Sequence, residues 1–135
     1  YDNSGNFIGD NKTVLEKEDD AATVNMGGSW RMPTKAEQDE LRTECTWTWT
    51  SNYNGTGVAG RIVTSKINGN SIFLPAAGGR YDSDLSNAGS SGGYWSSSLN
   101  TDYSYYAYYL YFTTGRVDCR STYRYFGQSV RGVIE

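Results

Sequence analysis

The sequence predicts a single α+β domain in which two helices precede several short, mainly antiparallel strands. Two observations carry this. Between Leu15 and Cys45 the apolar and capping residues recur at helical spacing, and from Thr46 onward the period becomes two, with turn residues interrupting it every few positions. Helices first and strands afterwards argue against an alternating parallel sheet. A chain of 135 residues suits one domain with a hydrophobic core of its own.

Residues 1–10 are polar and punctuated by glycine, an edge strand or loop. A helix is expected over 15–26, with Leu15, Ala22 and Met26 on one face and the acidic run from Glu16 to Asp20 suiting the helix N-terminal dipole. Gly27 and Gly28 stop it. A second helix is expected over 35–43, because Thr34 followed by Glu37 is a capping box, with Ala36, Leu41 and Cys45 facing inward. Strands are expected at 46–50, 60–66, 70–75, 94–97, 105–113, 116–120 and 129–134. Asn68-Gly69 marks a tight turn, and Thr113-Thr114-Gly115 closes a hairpin.

Residues 103–111 read Y-S-Y-Y-A-Y-Y-L-Y, six tyrosines in nine residues, in a chain otherwise rich in Gly, Ser, Asn and Thr. Tyr offers a large amphipathic ring at low entropy cost, and small polar residues add adaptable hydrogen bonding, the mixture on which binding loops converge. Period two places Tyr106, Tyr108, Leu110 and Phe112 on one face, and the Leu and Phe make that face the buried one. Tyr105, Ala107, Tyr109 and Tyr111 take the exposed face, joined across the hairpin by Arg116, Asp118 and Arg120, while Val117 and Cys119 point inward. Loops 100–104 and 121–123 extend the same surface. An ordinary β core with edge tyrosines is the competing account, although a sealed core cannot give every phenol a polar partner.

Charge and composition exclude several functions. The net charge is -3, with Lys and Arg scattered, so no nucleic-acid footprint is visible. No apolar run approaches the roughly eighteen residues of a membrane helix, and residues 1–30 lack the order of a signal peptide. The chain opens at Tyr1 and reads as a domain taken from a longer protein, whose preceding segment would carry any address. There is no histidine, which removes the usual general base and the commonest zinc ligand. Cys45 and Cys119 are too far apart for a zinc-ribbon or thiol-oxidoreductase pair, and whether they bond to each other stays open. No cofactor and no enzymatic activity are expected.

Five ordered blocks carry a resemblance. They are G-G-S-W-R-M-P-T-K-A-E at 27–37, C-T-W-T-W at 45–49, N-G-N-S-I-F-L-P-A-A-G at 68–78, G-Y-W-S-S-S at 93–98 and G-Q-S-V-R-G-V at 127–133. Together they resemble the Fibrobacter succinogenes major paralogous domain family. The resemblance implies a C-type-lectin-like fold, related in architecture to formylglycine-generating enzymes, and a place in secreted or surface proteins of Bacteroidetes or in their phages. Cys45 and Cys119 do not reproduce the close reactive cysteine pair of those enzymes.

Some C-type-lectin-like domains are variable proteins of diversity-generating retroelements, in which adenine-specific errors rewrite a C-terminal repeat. Asn codons rewritten in this way cannot become Lys, Glu, Gln, Met or Trp. Those five types supply sixteen of residues 1–98 and none of the twenty-nine residues 99–127, then return at Gln128. Within this window, resemblance and strand arithmetic together select Asp102, Tyr103, Ser104, Tyr105, Tyr106, Tyr109, Tyr111, Asp118, Arg120, Ser121, Thr122, Tyr123 and Phe126 as ligand-binding positions. Tyr108, Leu110, Phe112, Val117, Arg124 and Tyr125 read as scaffold.

Trp30 and Trp95 lie in the family blocks, so core packing is favoured for them over sugar stacking; Trp47 and Trp49 pose the same choice. Arg31 and Arg131 read as structural, paired with carboxylates such as Glu37 or Glu40. Asp82 and Asp84 read as a solvated turn, with calcium ligation as the alternative. The functional expectation is a non-catalytic, extracellular adhesin or receptor-binding domain on a bacterial surface or phage virion. Its partner is a protein or glycan on another cell. The alternative is a structural module of a surface protein with no external ligand.

Overall fold

A computed structural model describes residues 3, 4 and 9–134. Of the edge expected at residues 1–10, positions 1, 2 and 5–8 lie outside the described residues.

Helix α1 (Ala21–Met26) is half the length that the spacing of Leu15, Ala22 and Met26 predicts. Asp20 is the reason. Its side chain, only 4% exposed, accepts from the N–H groups of Ala22 and Thr23 at 2.9 Å and from that of Met32 at 2.8 Å. A carboxylate saturated by backbone donors holds the chain at a helix start, so Asp20 caps α1 and excludes the acidic residues before it. Upstream, the Leu15 N–H goes to the Ser97 carbonyl instead, and Met26, expected to face inward, is exposed.

Strand β1 (Trp30–Arg31) leads into α2 (Lys35–Glu44), whose start is the expected capping box of Thr34 and Glu37. Glu37 also accepts both Arg31 terminal nitrogens, at 2.8 and 2.7 Å. The inward face of α2 differs from expectation at one position. Ala36 is exposed and Gln38 is buried, its Nε2 donating to the Tyr94 and Trp95 carbonyls at 3.0 and 3.2 Å. Leu41 and Cys45 pack against the core, as expected.

Strands β2 (Cys45–Thr50), β3 (Gly60–Ser65) and β4 (Ser71–Pro75) form an antiparallel sheet, with Gly69 in the left-handed region at the expected turn. A hairpin of β5 (Gly79–Tyr81) and β6 (Asp84–Ser86) follows, with Asp82 in its turn. The second three-stranded sheet places β8 (Tyr106–Thr113) between β7 (Ser91–Leu99) and β9 (Val117–Tyr123), all antiparallel. Of the strand expected at 129–134, only β10 (Val133–Ile134) forms, pairing with β1. The architecture is thus a mixed α+β one, with mostly antiparallel strands in small sheets and few helices among the described residues.

The core lies between the two three-stranded sheets, with α2 packed across β7, β8 and β9. Val63 and Leu74 come from one sheet, Tyr94, Leu110 and Phe112 from the other. Phe112 is 0% exposed, and its ring fills the space that a side chain on Gly92 would need. Buried Arg61 ties the sheets together. Its guanidinium donates to the Thr113 carbonyl at 3.0 and 2.7 Å, to that of Thr114 at 2.9 Å and to that of Trp47 at 3.1 Å. Carbonyl oxygens therefore take the place of a carboxylate partner. Trp47 and Trp49 pack against this core.

Candidate functional site: the tyrosine surface and its cleft

The β8–β9 pairing sets the faces. Leu110 opposes Cys119 and Phe112 opposes Val117 on the inner side, while Tyr109 opposes Arg120 and Tyr111 opposes Asp118 on the outer. Arg120 donates to Asp118 at 2.9 Å and its guanidinium lies 4.3 Å from the Tyr111 ring centre. The charge is thus held over an aromatic face, a geometry that strengthens as water is excluded.

Three positions depart from expectation. Ala107, placed outward, is 8% exposed, because Leu15, Met32, Trp95 and Val130 gather around the same cleft. Tyr109 is half-buried with its ring edge-on to Trp95, and burial raises its phenol pKa above the ordinary value. Tyr105 precedes the strand rather than starting it, and is 54% exposed.

Beyond Tyr105 a second group forms. The loop before β8 is organised by buried Asn100, whose Oδ1 accepts from the N–H groups of Asp102 and Tyr103 at 2.9 and 3.0 Å. This Asx turn leaves Asp102, Tyr103, Ser104 and Tyr105 exposed. By register, Tyr106, Ser121 and Tyr123 belong to the inner face rather than the outer, since Tyr106 pairs with Tyr123 and Tyr108 with Ser121. Lys35, the first residue of α2, lies over Tyr108, and Tyr106 is one step further along the strand. At that end Tyr106 meets Tyr123 edge-to-face at 4.7 Å, and their hydrogen bond raises the Tyr106 pKa.

The rings connect. Tyr103 meets Tyr105 and Tyr106, which meet each other and Tyr123, Tyr123 stacks on Tyr125 at 5.0 Å, and Tyr125 meets Phe126 at 5.1 Å. Phe126 then reaches Tyr81 of β5 at 5.3 Å. Tyr125 and Arg124, expected as scaffold, are both exposed, and Tyr125 is a full member of this array.

Between the outer face of β8–β9 and the β5–β6 hairpin lies a cleft of about 270 Å³. Of the expected positions it gathers Tyr109, Tyr111, Thr122 and Phe126, and it adds Arg80, Tyr81, Asn87 and Gln128 from outside the window. Arg80 and Tyr81 escaped the sequence reading because three-residue strands carry almost no periodicity, and Asn87 and Gln128 because they lie outside any strand. The turn signal at R-Y-D-S-D was legible; the hairpin that it closes was not. Asp82 and Asp84 are exposed there.

Cys45 and Cys119 are both free thiols. Burial, followed by a hydrogen bond to Asp39, pushes the Cys119 pKa up to about 12, so this sulfur stays protonated at neutral pH. Arg31 forms the expected structural ion pair, whereas Arg131 is exposed and makes no ion pair among the described residues. Compared with protein-family models, with curated proteins and with solved structures, the chain gives no match.

Proposed function

We propose that this domain is a non-catalytic ligand-binding module, with the tyrosine array as its contact surface for a protein or glycan on another cell. The observation that carries the reading is the unbroken run of partly or fully exposed rings from Tyr103 through Tyr123 and Tyr125 to Tyr81. Contiguous exposed aromatic surface on a small domain costs solubility and is characteristic of a surface awaiting a partner. Neighbouring rings already restrict one another, so little rotamer freedom remains to be lost on binding. Asp118 and Arg120 supply charge at its margin and set selectivity.

The five sequence blocks support membership of the Fibrobacter succinogenes paralogous domain family, with a C-type-lectin-like fold and an extracellular setting on a bacterium or phage. The depleted residue types at 99–127 support a retroelement-diversified surface. The absence of histidine supports a binding rather than catalytic role.

Binding of the fluorescently labelled domain to a panel of intact bacterial cells tests the reading. The triple change of Tyr103, Tyr105 and Tyr123 to Ser is expected to abolish cell binding while moving the melting temperature by only a few degrees. Retained binding by that variant, or no binding to any cell by the parent domain, would favour a structural module instead. Sequencing the surrounding DNA gives the second arm: a near-copy of the codons for 99–135 that differs only at adenines marks the diversified positions.

A further inference from the structure

We infer that the cleft between the β5–β6 hairpin and the tyrosine face binds one uncharged, hydroxyl-rich sugar ring, held at its floor by Gln128. This deepens the binding function proposed above and rests on it. Gln128 is the central observation. Its carboxamide lies across two glycines: a methyl group at Gly93 would collide with Oε1, and one at Gly79 would come within 3.0 Å of it. The backbone on either side is pinned, Gly127 exchanging hydrogen bonds with Arg80 and Ser129 bonding to Gly93 and Trp95. Yet the carboxamide has no hydrogen-bond partner among the described residues, although it faces the cleft. Half-buried and facing the cleft, this unpaired donor and acceptor on a glycine floor is open to a ligand.

The lining selects the chemistry. Gln128, Asn87, Thr122 and the phenols of Tyr109 and Tyr111 each both donate and accept, which matches hydroxyls better than a carboxylate, which only accepts, or an ammonium, which only donates. No carboxylate lines the cleft, so a cationic group gains nothing there, and the one cation in the lining, Arg80, already donates from Nη1 to the Ser83 carbonyl at 3.0 Å. The aromatic walls suit the C–H faces of a pyranose. The volume of about 270 Å³ lies just under the range of about 300–1,000 Å³ for drug-sized ligands, and so fits a single ring. Gln128 and Arg80 also lie outside the 99–127 window, so this floor stays constant whatever the tyrosine face becomes.

The experiment is a titration of the ¹⁵N-labelled domain with methyl glycosides of glucose, galactose and mannose, and separately with N-acetylalanine methylamide as a peptide-backbone probe, followed by amide and side-chain NMR shifts. At least one glycoside is expected to shift the Gln128 carboxamide together with Gly79 and Gly93, and the peptide probe to shift none of them. Gln128→Glu, which keeps the shape but loses the donor, is expected to weaken that glycoside about tenfold; Ile67→Ala, exposed in the β3–β4 turn and absent from the cleft lining, leaves it unchanged. Silence with all three glycosides, a response to the peptide probe alone, or full glycoside binding by Gln128→Glu at unchanged melting temperature overturns the inference. If cell binding through the outer tyrosines persists in that case, only the sugar assignment falls.

Discussion

The two faces of the β8–β9 hairpin share one alternating pattern and meet opposite fates. On the inner face Leu110 and Phe112 are sealed between the sheets and α2, and on the outer face Tyr109 and Tyr111 stand beside an open cleft. Alternation tells which residues share a face, but what covers the face comes from elsewhere in the chain. Ala107 and Tyr106 make this concrete. Ala107 lies on the outer face yet is buried, because Trp95 and Val130 reach it; Tyr106 lies on the inner face yet joins the surface array.

The comparison is broken most severely by Phe112→Ala. Removing a ring with no exposed surface from between the sheets is expected to cost about 3–5 kcal/mol in urea denaturation. A cost below about 1 kcal/mol would mean that the inner face is not the packed one. A finer division runs within the tyrosines themselves. Tyr109, packed on Trp95, is expected to cost about 1–2 kcal/mol on change to Ala, whereas Tyr105→Ala stays within about 0.5 kcal/mol. Equal costs for the two would erase the distinction between the cleft wall and the exposed array.

The smallest expected effect concerns how α2, the cover of the inner face, is anchored. The hydrogen bond from Arg31, assisted by the Thr34 backbone, holds the Glu37 pKa down to about 2 from an ordinary 4.5. A carboxylate depressed on folding contributes stability above its unfolded value, and that contribution fades as pH falls from about 4.5 toward 2. Both partners are partly exposed, so screening keeps the loss under about 1 kcal/mol. Melting temperatures taken between about pH 5 and 2.5 are expected to fall less steeply for Glu37→Gln than for the parent. Identical slopes would show that the pair does not anchor α2.

What could be read in advance was local. Thr34 and Glu37 are three residues apart and Arg31 lies six before Glu37, so the box and the ion pair are visible within a short stretch of chain. The hairpin joining β8 to β9 and its inner apolar set were likewise legible from period two and a turn. The missed features depend on distant partners. Asp20 shortens α1 because Met32, twelve residues on, lends it an N–H, and Arg61 is buried because carbonyls more than fifty residues away receive it. Gln128 gained meaning only when Gly79 and Gly93 came beneath it.

By itself, then, the sequence determined the mixed α+β class, the α2 cap, the main strands and a hairpin dense in tyrosine. Those follow from spacing and side-chain chemistry within a few residues. Tertiary structure alone decided which tyrosines meet solvent, that the tyrosine run extends through Tyr125 and Phe126 to Tyr81, and that a glycine-floored cleft opens beside it. Burial and ligand access are set by whatever the fold brings opposite a residue, and no periodicity within a strand encodes that.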